Sequence, residues 1–334
     1  MKFGGFVATD SVADATEYAR SLERWGWDTL WAIDSQQLYT DLYVTLTACA
    51  VATDELTLAP GITNPKSRHP SVTANAIASL DQVADGRTVL GIGAGDSAVY
   101  SVGEQPATVD ELAESAEKLR RLLRGEEVTF GGEPFRLESR QRDGTVYVAA
   151  EGPTTLRMAG EVADGVIFGG GPNPDTVETL GLANIREGAE RAGRSLGDLD
   201  IVTLTPTCVA ETRAEAVEKL KPVIEPIAYH NFSFSVEDAP SDVRDDLRSL
   251  VDAHDMQEHG DEAAAALDDI GEEVWEYLGD RFAIAGPPEA CRERLRALDE
   301  RGVDHVMCLF PPERTAENER FHEEVLADAD LGPA

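Results

Sequence analysis

The sequence predicts an α/β fold, a (β/α)8 barrel of the TIM type with insertions. Short apolar runs alternate with amphipathic helical stretches along the chain, the pattern of parallel strands joined by crossover helices. Eight such runs occur, each with a helix after it. A length of 334 residues suits one such barrel plus insertions. A doubly wound open sheet is the competing architecture.

The first strand is read at Lys2 to Ala8, and its helix carries Val12, Ala15, Ala19 and Leu22 on one face before ending near Trp25-Gly26. The second strand is Thr29 to Ile33, followed by a helix over about Asp41 to Ala52. The third is Leu56 to Ile62, and Pro70 sits near the start of the next helix, a favoured place for proline. Asp85-Gly86 closes that helix by supplying residues tolerant of positive φ. The fourth strand is Thr88 to Gly93, with a long helix from about Val109 to Leu123. Two β-type runs around Gly131-Gly132 then signal a hairpin insertion near 126–138. The fifth strand is Val146 to Ala150, its helix starts near Pro153, and the sixth is Gly165 to Phe168. A helix over Asp175 to Ala192 leads to the seventh strand, Ile201 to Val209. Acidic helices interrupt the alternation over about 229–280, and Val303 to Leu309 is the eighth strand. No break in composition marks a linker, so 1–334 is read as one barrel domain.

The formal net charge is -34, from 63 acidic and 29 basic residues, and only five of the basic residues are lysines. So negative a surface repels nucleic-acid phosphate. Excess carboxylate with little lysine is what a high-salt cytoplasm favours, since salt screens the self-repulsion. No run of about 18 apolar residues suggests a membrane span, and the N-terminus lacks a signal-peptide core. Cys49, Cys208, Cys291 and Cys308 lie far apart with no C-x-x-C, as expected of reduced buried thiols. A cytoplasmic location follows as the expectation.

In barrels of this kind ligands bind at the carboxyl ends of the strands. Those ends here read Ala8–Asp10, Asp34–Ser35, Gly61–Asn64, Gly93–Asp96, Ala150–Pro153 and Gly169–Gly171, all glycine-rich, polar or acidic. "GIGAGD", Gly91 to Asp96, offers backbone N–H groups and close approach, yet has Asp96 where a dinucleotide fingerprint needs glycine. "AAEGP" places Ala150, Glu151, Gly152 and Pro153 at a helix start, where anions are favoured; ordinary capping is the plainer reading. "FGGG" puts Gly169 and Gly170 where a backbone would press on a flat ligand, or simply turn. "GITNPKSRHP" gathers Lys66, Arg68 and His69 within four positions of an otherwise acidic chain. His254 and His259 are five apart, and the other histidines are scattered, so no metal site is expected and most are read as surface or capping residues.

Four strings, "GITNPKSRHP", "ASLDQVADGRTVLGIGAGD", "AAEGPTTLRMAGEVADGVIF" and "RGVDHVMCLFPP", together resemble the luciferase-like oxidoreductases. The likeness is greatest to the reductases that use the deazaflavin coenzyme F420 to act on methylenetetrahydromethanopterin, and weakest over about 229–279. The resemblance implies a (β/α)8 barrel, homodimers or larger assemblies, and a non-proline cis peptide after the third strand, at Gly61-Ile62. It places Gly61, Ile62, Thr63 and Asn64 against the coenzyme ring, with Asp34 nearby. Gly93, Ala94, Gly95, Ala150, Gly152 and Pro153 would hold the ribityl chain and phosphate. Lys66, Arg68 and His69 become candidates for the acidic tail of coenzyme or substrate.

Departures from the resemblance bear on the chemistry. Where those reductases carry a strand-one glutamate, this chain has "GGFV". Ser35-Gln36 replaces a frequent histidine, and Glu151 stands where an amide is common. Glu151 and Asp96 are therefore the candidate proton-donating acids. The function implied is hydride transfer from reduced deazaflavin to a methylene-tetrahydropterin of methanopterin or folate type. An FMN-dependent monooxygenase and a non-catalytic coenzyme-binding or partner subunit are the alternatives.

Overall fold

In the computed structural model, strand alternation sets the inside of a barrel. Residues 1–138, 144–233, 235–237, 239–253, 270–311 and 314–327 are described. In chain order the strands are β1 (Lys2–Val7), β2 (Thr29–Ala32), β3 (Thr57–Pro60), β4 (Val89–Ile92), β5 (Val128–Phe130), β6 (Glu133–Phe135), β7 (Thr145–Ala150), β8 (Gly165–Phe168), β9 (Asp200–Val209), β10 (Ile284–Gly286) and β11 (His305–Leu309). The main sheet runs β3-β2-β1-β11-β9-β8-β7-β4, and its neighbouring strands pair in parallel. Parallel bridges Leu58–Thr88 and Thr63–Ile92 join the two end strands, so the ring is nearly closed. The barrel expected from the sequence is the fold observed.

One face of the strands fills the interior with Trp31, Ala59, Tyr147, Ile167, Val202 and Met307. The opposite face buries Leu30, Leu58, Val146, Val166 and Val306 against the surrounding helices. At the amino ends three aspartates recur in one arrangement. Asp28, Asp164 and Asp304 each precede a strand, and each accepts the backbone N–H of a residue in the strand beside it: Phe3 at 2.8 Å, Val146 at 3.1 Å and Ile201 at 2.8 Å.

The helices start and stop on local chemistry. Asp41 Oδ1 caps Leu42–Ala52 by accepting the N–H groups of Tyr43 and Val44. His69 caps Pro70–Val83, where Pro70 costs nothing because a first-turn N–H has no intrahelical partner. Asp85 and Gly86, at φ 50° and 88°, end that helix. Gly131 and Gly132, at φ 58° and 89°, turn the β5–β6 hairpin, and both positive values suit its two-residue turn.

Beyond β9, the helix Arg213–Phe232 packs with Leu247, Leu250, Trp275, Leu278 and Phe282 in a second cluster beside the barrel. The segment expected as a helical insertion is described as Arg244–Ala253 and Glu272–Phe282; 254–269, with His254 and His259, lies outside the described residues. β10 is a strand the sequence reading lacked. It extends the ladder on Thr207, Cys208 and Val209, past the point where β11 stops pairing with β9.

Candidate active site

The carboxyl ends of the strands form a mouth with an apolar floor. Phe6, Ile62, Ala149, Leu204 and Leu309 are partly buried and cap the interior cluster. The Gly61-Ile62 peptide is cis, at the position the family resemblance implies. Ile62 packs closely over Gly93, where an added Cβ would meet its Cδ1 and force that side chain to shift. Thr63 exchanges backbone hydrogen bonds with Gly91 and Gly93, which locks the loop after β3 onto the end of β4.

Around the floor the loops hold one another. Thr63 Oγ1 donates to Asp34 Oδ2 at 2.6 Å, and Arg68 Nη1 donates to the same oxygen at 2.5 Å. Asn64 Oδ1 accepts the N–H groups of Lys66 and Ser67, at 3.0 and 2.8 Å, which leaves its amide nitrogen as the donor of that side chain. Ser35 Oγ meets Ser97 Oγ at 2.9 Å, and Gln36 Nε2 donates to Ala98 O at 2.7 Å, tying the loop after β2 to the short helix Ser97–Tyr100.

Two acids and a histidine face one another across the mouth. Asp96 precedes Ser97–Tyr100, and its Oδ2 lies 3.2 Å from His230 Nε2. Glu151 projects from the loop after β7, and a Cβ on Gly169 would lie 2.7 Å from its Oε1. Burial holds the Glu151 carboxyl above the usual range; the Asp96 charge adds to this, and His230 opposes it. Burial pushes the His230 imidazole down, but Asp96, Glu151 and Glu225 outweigh it and raise the net value. Carboxyl and imidazole groups placed this way can hold a transferable proton at the edge of the mouth.

The structure brings together Asp34, Gly61, Ile62, Thr63, Asn64, Gly93, Ala94, Gly95 and Asp96 through the ties between the loops after β2, β3 and β4. Ala150, Glu151, Gly152 and Pro153 lead into Pro153–Val162, whose cap Gly152 has no side-chain hydrogen bond and open space around it. Gly169 and Gly170 lie against protein: Glu151 beside the first, the Phe168 ring beside the second. The three clustered cations have protein partners. Arg68 binds Asp34 and Asp41 and sits over the Tyr43 ring, Lys66 pairs with Glu111 at 3.1 Å, and His69 is a helix cap with its ring against Phe130.

His230 is the residue that sequence reasoning missed. The scattered histidines read mostly as surface or capping residues, whereas helix Arg213–Phe232 carries His230 to Asp96. Nothing around Tyr229-His230-Asn231 in the sequence signals that contact. Among the described residues no group of three or more His, Cys, Asp or Glu is placed to hold a metal ion, and no helix is long and apolar enough to cross a membrane.

This chain belongs to the luciferase-like monooxygenase family, whose model matches residues 1–305. It is 30% identical over 325 residues to a 5,10-methylenetetrahydromethanopterin reductase of Methanolobus tindarius, a match covering 93% of this chain and 94% of the relative. It is 34% identical over 197 residues to an F420-dependent glucose-6-phosphate dehydrogenase of Nakamurella multipartita, over 53% of this chain and 58% of the relative. The solved coenzyme F420-dependent tetrahydromethanopterin reductase of Methanopyrus kandleri superposes with TM-score 0.80 at 25% identity, covering 98% of this chain and 99% of that one.

Proposed function

We propose that this protein is a coenzyme F420-dependent oxidoreductase that reduces a methylene-tetrahydropterin of methanopterin or folate type. The observation carrying this reading is an apolar floor, Ile62 with Ala149 and Leu309, beside Asp34, Asp96, Glu151 and His230. A tricyclic ring suits the floor, and a proton-bearing acid suits its edge. The full-length likeness to methylenetetrahydromethanopterin reductases supports the substrate class.

In this reading the coenzyme supplies the hydride, and the chain binds, orients and excludes water. Gly61, Ile62 and Thr63 lie behind the ring, with the Asn64 amide nitrogen as a donor to its edge. Gly93, Ala94 and Gly95 take the ribityl chain. Ala150, Gly152 and Pro153, at the uncapped start of Pro153–Val162, take the phosphate. Gly169 and Gly170 form the wall behind Glu151. Lys66, at the edge of the cation cluster, attracts an acidic tail.

The protein acts as a homo-oligomer, dimer or tetramer. Helices Leu42–Ala52 and Pro70–Val83 pack side by side and bear no charged residue except the buried Asp81. Val44, Val51, Val72 and Val83 stand exposed on them, at 60%, 76%, 55% and 45%. Copies of a chain of charge -34 meet most easily where neither brings carboxylates.

The family description favours one competing reading, an FMN-dependent monooxygenase. Phe6, at the carboxyl end of the strand where relatives are expected to carry an acid, favours another, a coenzyme-binding subunit without turnover. The deciding experiment adds reduced F420 or FMN to purified protein in high salt and follows retention, oxygen uptake and reduction of methylene-tetrahydropterin. F420 retention with pterin reduction is expected. FMN retention with oxygen uptake, or F420 retention without reduction of any pterin, overturns the proposal.

A further inference from the structure

The helix Arg213–Phe232 ends at the mouth and engages two loops with consecutive residues. His230 Nε2 lies 3.2 Å from Asp96 Oδ2, on the loop after β4. Asn231 Nδ2 donates to Gly169 O at 3.1 Å, on the loop after β8. Gly169 in turn lies beneath the Glu151 carboxyl, close enough that a Cβ there would clash with it. One helix end therefore reaches Asp96 directly and the backbone beside Glu151 through Gly169.

Two carboxyls sharing a half-buried site do not both ionise freely, and a cation at hydrogen-bond distance from one decides which does. The group able to carry that charge, the His230 imidazole, is placed asymmetrically here, at 3.2 Å from Asp96 Oδ2. We propose that His230 is a positioning residue that keeps Asp96 as a fixed carboxylate and thereby leaves Glu151 as the acid that holds the transferable proton. This rests on the reading of the site as one for proton-coupled hydride transfer, and it separates two acids that the sequence presents as equivalents.

The groups facing His230 come from every side. Asp96 approaches from the loop after β4, Glu151 from the loop after β7, and Glu225 from its own helix; the Tyr229 ring stands 5.4 Å away, edge-on. Tyr100 adds a phenol beside Asp96 and Tyr229. The acids outnumber the histidine, so a protonated imidazole neutralises only part of the set. Asp96, hydrogen-bonded to it, takes that charge, and Glu151 is left in the less polar position against Gly169.

The test begins without coenzyme. Histidine NMR of the coenzyme-free protein, with the His230 signal assigned from His230→Gln, follows its protonation against pH in wild type and in Asp96→Asn. The His230 midpoint is expected to fall by about one pH unit in Asp96→Asn, a tenfold loss of proton affinity. Asp96→Ser replaces that variant if it does not fold. Kinetics with reduced deazaflavin and the pterin form the second arm. Glu151→Gln is expected to lose turnover at every pH, whereas His230→Gln shifts the pH limb of kcat with the coenzyme KM within about twofold.

An unmoved His230 midpoint in Asp96→Asn overturns the proposal, as does a pH-independent loss of turnover in Asp96→Asn with Glu151→Gln still active. A wild type that binds no deazaflavin defeats the functional reading instead. The imidazole titration then still decides whether His230 and Asp96 act as a pair.

Discussion

Arg68 Nη1 lies 2.5 Å from Asp34 Oδ2, and the Asp34 side chain is 2% exposed. The guanidinium closes a buried contact in which Thr63 also donates to that oxygen. Removing one partner of such a pair leaves a buried charge uncompensated. Arg68→Ala is expected to destabilise the fold by about 3–5 kcal/mol in chemical denaturation. A loss below about 1 kcal/mol would show that the pair is as weak as a solvated surface one.

Lys66 tests the tail-binding reading more cleanly. Its pair with Glu111 is solvent-exposed, so Lys66→Ala is expected to change stability by less than about 1 kcal/mol. The KM for coenzyme or pterin should nevertheless rise severalfold at low salt and converge with wild type at high salt, because screening removes the attraction. Equal constants at low salt would make the cluster an ordinary solvated loop.

Glu151→Gln removes the proposed proton donor while keeping shape. Turnover is expected to fall by about 10²–10⁴, the usual worth of general acid catalysis, with deazaflavin affinity nearly unchanged. Parallel titrations of coenzyme fluorescence and of steady-state rate separate the two effects. Unaltered turnover rejects Glu151 as the acid.

Stability should respond to pH with two signs. Glu151 and His230 both have folded values raised above their unfolded ones, so their contribution is complete below the unfolded values and is lost as pH rises through the folded ones. His305 behaves oppositely: burial inside the barrel lowers it to about 3, so stability is lost as pH falls from its unfolded value of 6.5 towards 3. Denaturation midpoints across pH are expected to show both declines. His305→Leu should flatten the acid one, and a persistent acid decline would assign it to other groups.

The charge-free helix faces predict that Val51→Asp yields a smaller species by sedimentation. A two-fold interface presents each substitution twice, which doubles the introduced repulsion. Unchanged assembly size would move the contact elsewhere on the surface.

The barrel was legible because its strands are local: each apolar run and the start of its helix, marked by residues such as Asp41 or Pro70, can be read within a dozen residues. β10 was not, because three residues before a Pro-Pro pair form a strand only when the far half of β9 is there to accept them. The acids Asp96 and Glu151 were legible as polar residues at strand ends. His230 lies 134 residues from its partner and depends on where a whole helix ends, which no local pattern encodes. The cation cluster was visible too, but not that Asp34 and Glu111 reach back to hold Arg68 and Lys66.

Asp28, Asp164 and Asp304 set apart a small group within the acidic excess. Other carboxylates, such as Glu17 and Glu187, sit in exposed ion pairs, and a redesign toward lower charge could exchange such residues for neutral ones. These three are mortar between staves: each bonds one strand's amide to the loop before the next. A charge-reduced version of the barrel would have to leave them in place, however far its net charge was brought toward zero.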